Sequence, residues 1–148
     1  MVYTSETWDG DEWELYATQL LYLRHPNGTL QETPSEYRGD YGIDSFVRSA
    51  GLTYQCYAAQ EPLGNTELHS KQRDKIRTDT GKLISNAEEI KALLAPNLLE
   101  RWTLVVPRFT STPLLTYCSE RAAVIRSHGL DYISDSFEIT VQQRSGFR

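Results

Sequence analysis

The residues with chemistry to offer gather in one stretch, Arg38 to Glu61, which reads RGDYGIDSFVRSAGLTYQCYAAQE. A turn, Gly39-Asp40-Tyr41-Gly42, carries one acid, and Ile43-Asp44 follows with a second. Phe46-Val47 and Leu52 to Ala58 are apolar runs separated by Ser49-Ala50-Gly51, the pattern of a β-hairpin. Asp44 then heads one strand and Gln55 lies inside the next, where antiparallel residues can face each other. A carboxylate and an amide oxygen so placed are hard ligands suited to a divalent cation. The competing reading makes Asp40 and Asp44 turn residues and Gln55 an ordinary strand polar. Glu14 lies among apolar neighbours, either as a further ligand or as a solvated first-turn acid.

These residues need elements to hold them. Asp11 to Arg24 reads as a helix, with Trp13, Tyr16, Leu20 and Leu23 at helical spacing and Leu15 and Leu21 widening the stripe. Asp9 or Asp11 caps its start, and His25-Pro26-Asn27-Gly28 ends it. Thr29 to Tyr37 is polar and extended, with Pro34 marking an edge or irregular strand. After the hairpin, Asn65 or Thr66 starts a helix through Lys75, Asp79 and Leu83, with a break at Gly81 or Asn86. Its continuation, Ala87 to Leu94, stops at Ala95-Pro96. Lys71, Arg73, Lys75, Arg77 and Lys82 alternate there with Glu67, Asp74 and Asp79. That pattern reads as a solvated face laced with ion pairs. The alternative makes Lys71, Lys75 and Lys82 the basic side of a phosphate-binding surface.

Trp102 to Val106 is an unbroken apolar run, read as a strand buried on both faces. Leu114 to His128 is a helix with Leu115, Cys118, Ala122 and Ile125 on one face and Gly129 at its end. Phe137 to Val141 alternates as a last strand. The order predicts an α/β (α+β) fold, a central mixed sheet with helices on both sides, in one domain spanning residues 1–148.

The composition limits the partners. A net charge of −5 and a sequence pI near 5.2 argue against a protein that coats nucleic acid, though not against a local basic face. The two cysteines, Cys56 and Cys118, lie in apolar runs and read as free thiols of a cytoplasmic protein. The start of the chain lacks the apolar core of a signal peptide, and no run is long enough to span a membrane. No GxSxG, HExxH or CxxC pattern offers another catalytic class.

Gly39-Asp40-Tyr41-Gly42-Ile43-Asp44 and Tyr54-Gln55-Cys56-Tyr57 resemble the restriction-endonuclease-like PD-(D/E)XK superfamily, in its Mrr-type form. That form writes its site as a Gly-Asp-x-Gly-Ile-Asp strand followed by a Gln-x-Lys strand. Trp13-Glu14-Leu15 is similar to the aromatic-Glu start of the family's first helix. The resemblance covers the element order of most of the chain but only about ten motif residues. It implies a nuclease, a Mg²⁺-dependent phosphodiester hydrolase acting on DNA. Asp44, Glu14 and Asp40 would be metal ligands, and Gln55 would stand at the second ligand position.

The family's lysine falls at Tyr57, which is neutral at pH 7 and supplies no cation. Some members take that lysine from the neighbouring helix, which points here to Lys75 or Lys71. Otherwise the chemistry is lost and the domain is a protein-binding or assembly module. The resemblance therefore implies either an endonuclease of a prokaryotic defence (antiviral) or mobile-element system, or its inactive relative. So little chain follows the last strand that sequence specificity would need a partner subunit.

Overall fold

The computed structural model describes residues 8–144. Helix α1 spans Gly10–Arg24 and is followed by β1 (Gln31–Glu32), a single helical turn α2 (Arg38–Tyr41), β2 (Ser45–Val47) and β3 (Leu52–Cys56). Then come α3 (Asn65–Ser85), α4 (Ala87–Leu94), β4 (Leu99–Val106), α5 (Thr112–Ser127) and β5 (Ile133–Gln143). The strands form one five-stranded sheet in the order β1-β2-β3-β4-β5. The pairs β1/β2 and β2/β3 are antiparallel, whereas β3/β4 and β4/β5 are parallel. Each parallel pair needs a long crossover, which α3 with α4 and then α5 supply. The protein is thus α/β, a mixed sheet flanked by helices, as the element order predicts.

Alternation along the strands divides the core. Val47, Tyr54 and Val105 meet Trp13, Ala17 and Leu21 of α1 on one face. Phe46, Trp102, Leu104 and Val106 meet α3, α4 and α5 on the other, through Ile76, Leu83, Ile90, Leu94, Leu114 and Cys118 among others. The Trp102–Val106 run is fully buried apart from Thr103, itself only 4% exposed, as a strand covered on both faces must be. Among the described residues no helix is long and apolar enough to cross a membrane.

Two helix faces differ from the sequence reading. On α1 the buried stripe is Trp13, Ala17 and Leu21, while Leu15 and Leu23 are 66% and 79% exposed. The small Ala17 lets the helix approach the sheet closely, and that rotation turns Leu15 and Leu23 outward. On α5, Leu114 and not Leu115 faces the core. Gly81 does not interrupt α3; the helix ends at Asn86, where α4 begins.

Two tight turns require glycine. Gly42 ends α2 at φ 67°, and a Cβ there would lie 2.8 Å from Asp79 O and 2.9 Å from Asp79 Cβ. Gly51 closes the hairpin at φ 67°, and a Cβ would lie 2.0 Å from Leu98 O. Both combine a left-handed backbone with a contact that leaves no room for a side chain.

Candidate active site

The hairpin register stops one residue short of Asp44. Ser45 pairs with Tyr54 and Val47 with Leu52; Asp44, one residue before β2, donates its N–H to Tyr54 O and accepts Cys56 N–H on its carboxylate, the two chain neighbours of Gln55. Asp44 is 6% exposed and Gln55 7%. Asp44 Oδ2 accepts the Cys56 N–H at 2.8 Å, and its own backbone bonds Tyr54 and Thr33, which fixes the carboxylate at the strand mouth. No other described residue donates to the Asp44 carboxylate. Gln55 Oε1 is buried with no hydrogen-bond partner among the described residues. A buried amide oxygen left without a donor costs free energy unless a ligand or solvent satisfies it.

Burial pushes the Asp44 carboxyl up to about 6. The Cys56 N–H works against that rise, Glu14 adds to it, and Arg38 and Lys75 oppose it. The charges acting on Asp44 therefore come from α1, α2 and α3. Burial raises the Cys56 thiol well above its ordinary range, so it is no nucleophile at neutral pH.

Trp13 explains how Glu14 reaches this place. Its Nε1–H donates to Val105 O at 2.9 Å, and the same carbonyl accepts the Tyr57 N–H at 2.9 Å. The start of α1 is thereby tied to the ends of β3 and β4. Asp9 caps the helix through Glu12 N–H at 2.7 Å. Glu14 is ion-paired with Arg38, whose Nη2 also reaches Glu32 Oε1 at 3.1 Å and whose Nε donates to Thr33 O at 2.8 Å. Beside this pair lies a hollow of ≈ 410 Å³ bordered by Glu14, Thr18, Tyr22, Glu32 and Arg38.

Asp40 lies apart. It is exposed on α2, is not among the charges acting on Asp44, and contributes its backbone carbonyl, which accepts Asn86 Nδ2 at 2.6 Å. Asp44, Glu14 and Asp40 do not close into one ligand set. Among the described residues no three of His, Cys, Asp and Glu group to hold a metal.

The two candidate lysines separate clearly. Lys71 is exposed on α3. Lys75, one turn later, sets Nζ 5.5 Å from the centre of the Tyr57 ring, the residue standing where a Gln-x-Lys strand carries its lysine. Lys75 also lies 3.1 Å from Asp79 Oδ2. Lys82 Nζ reaches Asp79 Oδ1 at 2.9 Å and Gly39 O at 2.6 Å. Trp102 Nε1–H donates to Gly42 O at 2.9 Å, so the Gly39–Gly42 turn is held by α3 on one side and β4 on the other.

Sequence reasoning missed Arg38 and Asp79. Asp79 falls three residues after Ile76 and four before Leu83, on the buried stripe of α3, and that spacing was the available signal. Arg38 left no comparable sign, because its partners Glu14 and Glu32 come from separate elements. His69 and His25 do not join the site: His69 Nδ1 lies 2.7 Å from Ser111 Oγ, and His25 Nε2 lies 2.7 Å from Tyr54 Oη.

Comparison with protein-family models, with curated proteins and with solved structures gives no match.

Proposed function

We propose that this chain is a metal-dependent nuclease of restriction-endonuclease-like design, hydrolysing phosphodiester bonds in DNA, with its catalytic cation supplied from α3. One observation carries the reading. Lys75 enters from α3 over the ring of Tyr57, two residues along the chain from Gln55, and its charge acts on Asp44. A lysine missing from the strand thus has a counterpart whose ammonium acts electrostatically on Asp44.

The donor set fits a hard divalent ion. Asp44 Oδ2 accepts the Cys56 N–H, and Gln55 Oε1 is buried with no partner among the described residues. Oxygen ligands with few carboxylates suit Mg²⁺, which keeps several of its waters. Asp44 and Gln55 would hold the ion, with Glu14 joining if Arg38 releases it. When bound, Mg²⁺ would polarise the scissile phosphate and lower the pKa of a coordinated water. Lys75 would donate to a non-bridging phosphate oxygen, where charge builds up in the transition state. Lys71, exposed one turn earlier, would meet a neighbouring phosphate, a contact that adds affinity without sequence preference. Asp40 has no part in this arrangement. Sequence choice would rest with a partner subunit, in a cytoplasmic defence or mobile-element system.

One observation favours a second reading, an inactive domain serving as a protein-binding module. Glu14 is already neutralised by Arg38, so the carboxylate count at the site is low. Titration calorimetry with Mn²⁺ separates the two. The nuclease reading expects a Mn²⁺ site that Asp44→Ala abolishes. Wild-type protein that takes up no Mn²⁺ at millimolar ion would leave the binding module.

A further inference from the structure

Asp79 is an unusual residue for a helix that otherwise carries its charges in solvent. Its side chain is 1% exposed and serves two lysines on its own helix. The two ion pairs are not alike. Lys82 donates a hydrogen bond to Oδ1 at 2.9 Å and continues to Gly39 O. Lys75 lies 3.1 Å from Oδ2, close enough for an ion pair, yet Oδ2 receives no aligned hydrogen bond. Lysine has three N–H donors. The Lys75 ammonium is therefore held by charge on one side and by the Tyr57 ring on the other, with no donor committed to a described protein acceptor. An ammonium fixed in place with its donors open is prepared for an incoming anion. Asp79 also supports the turn before Asp44, because its Cβ and carbonyl press against Gly42 where no Cβ fits. One residue thus joins Lys75, through its carboxylate, to the turn that precedes Asp44, through its backbone and Cβ.

We propose that Asp79 is the positioning residue of Lys75, presenting its ammonium to the phosphate of a nucleic-acid substrate. The proposal rests on the nuclease reading for its purpose but not for its geometry. The test follows the Lys75 Hε resonances by NMR, assigned with Lys75→Arg, together with Mn²⁺-dependent cleavage of a duplex DNA oligonucleotide. In wild type the Tyr57 ring current must shift Lys75 Hε upfield. In Asp79→Asn that shift must collapse, and kcat must fall on the order of 100-fold with KM nearly unchanged, the pattern of a misplaced catalytic group. If Asp79→Asn does not fold, Asp79→Glu keeps the charge but moves the carboxylate by one methylene, and must displace the same resonance. An unchanged Lys75 resonance in a folded Asp79 variant would overturn the proposal. So would loss of melting temperature with kcat intact, which is the result for a carboxylate that only braces the fold. The resonance reads the hold of Asp79 on Lys75 without turnover. A wild type that shows the shift but cleaves nothing therefore overturns the nuclease reading alone.

Discussion

Helix α3 carries two clusters of opposite charges within two turns, and they live in different physical worlds. Asp74 has a 52% exposed side chain and pairs loosely with Arg73 at 3.7 Å and Arg77 at 3.4 Å. Asp79 is 1% exposed and pairs with Lys75 at 3.1 Å and Lys82 at 2.9 Å. In the first cluster water screens each charge and long side chains lose entropy by meeting, so little is gained. In the second, the carboxylate is out of water, so removing a lysine leaves a buried charge short of a partner. Similar letters at similar spacing thus make a solvated face in one turn and a structural joint in the next.

The largest break in this comparison is Asp79→Ala. It should cost about 2 kcal/mol, below the loss from a fully buried pair because Lys75 and Lys82 reach solvent. Denaturant titration should show the drop, and a variant as stable as wild type would dissolve the distinction between the clusters.

Next comes the turn that Asp79 supports. Gly42→Ala forces a left-handed backbone and a clash with Asp79, and should cost about 2 kcal/mol. Gly39→Ala is its control, since a Cβ on Gly39 would meet nothing within 4 Å and its φ is not positive. It should be neutral or stabilising by about 0.5 kcal/mol, through a less flexible unfolded chain. Equal costs for the two would show that Asp79 does not press on the turn.

Asp44 sharpens the contrast through pH. Its folded carboxyl holds a proton up to about 6, whereas the unfolded chain releases it near the ordinary value of 3.8. The folded state therefore binds the extra proton between those values. The resulting stability is complete below about pH 4 and is lost as pH rises through about 6, amounting to roughly 3 kcal/mol at most. In EDTA, Asp44→Asn should remove this part of the pH dependence, measured as the difference in stability between pH 4 and pH 7. An identical slope in both proteins would place the titration elsewhere.

The smallest effect belongs to the exposed cluster. Asp74→Asn should change stability by less than about 0.5 kcal/mol, and less still at high salt.

What could be read from the sequence follows the same divide. Elements with strong local signals were legible: the Asp9 cap and the end of α1, the Gly51 turn, the apolar β4 and the stop of α4 at Leu94. The pairing of the two hairpin strands followed from their periodicity and turn length. Which side of a helix is buried was less legible, because Leu15 and Leu23 look more apolar than Ala17 yet lie in water. Whether Lys71 or Lys75 belongs near the hairpin depended on how α3 rotates on the sheet. Asp79 was read with Asp74 as one solvated face because charge alternation does not report burial. The Arg38–Glu14 pair joins α2 to α1 across the hairpin, a contact that no local pattern encodes.

The central claim, that Asp44 and Lys75 form a working hydrolytic site, is tested most directly by cleavage. Duplex DNA is incubated with purified wild type, Asp44→Ala, Lys75→Met and Lys71→Ala in Mg²⁺ or Mn²⁺, and product is followed on gels. Cleavage should require the metal, vanish in Asp44→Ala and fall on the order of 100-fold or more in Lys75→Met. A wild type inert with both ions, or a loss confined to Lys71→Ala, would contradict the account.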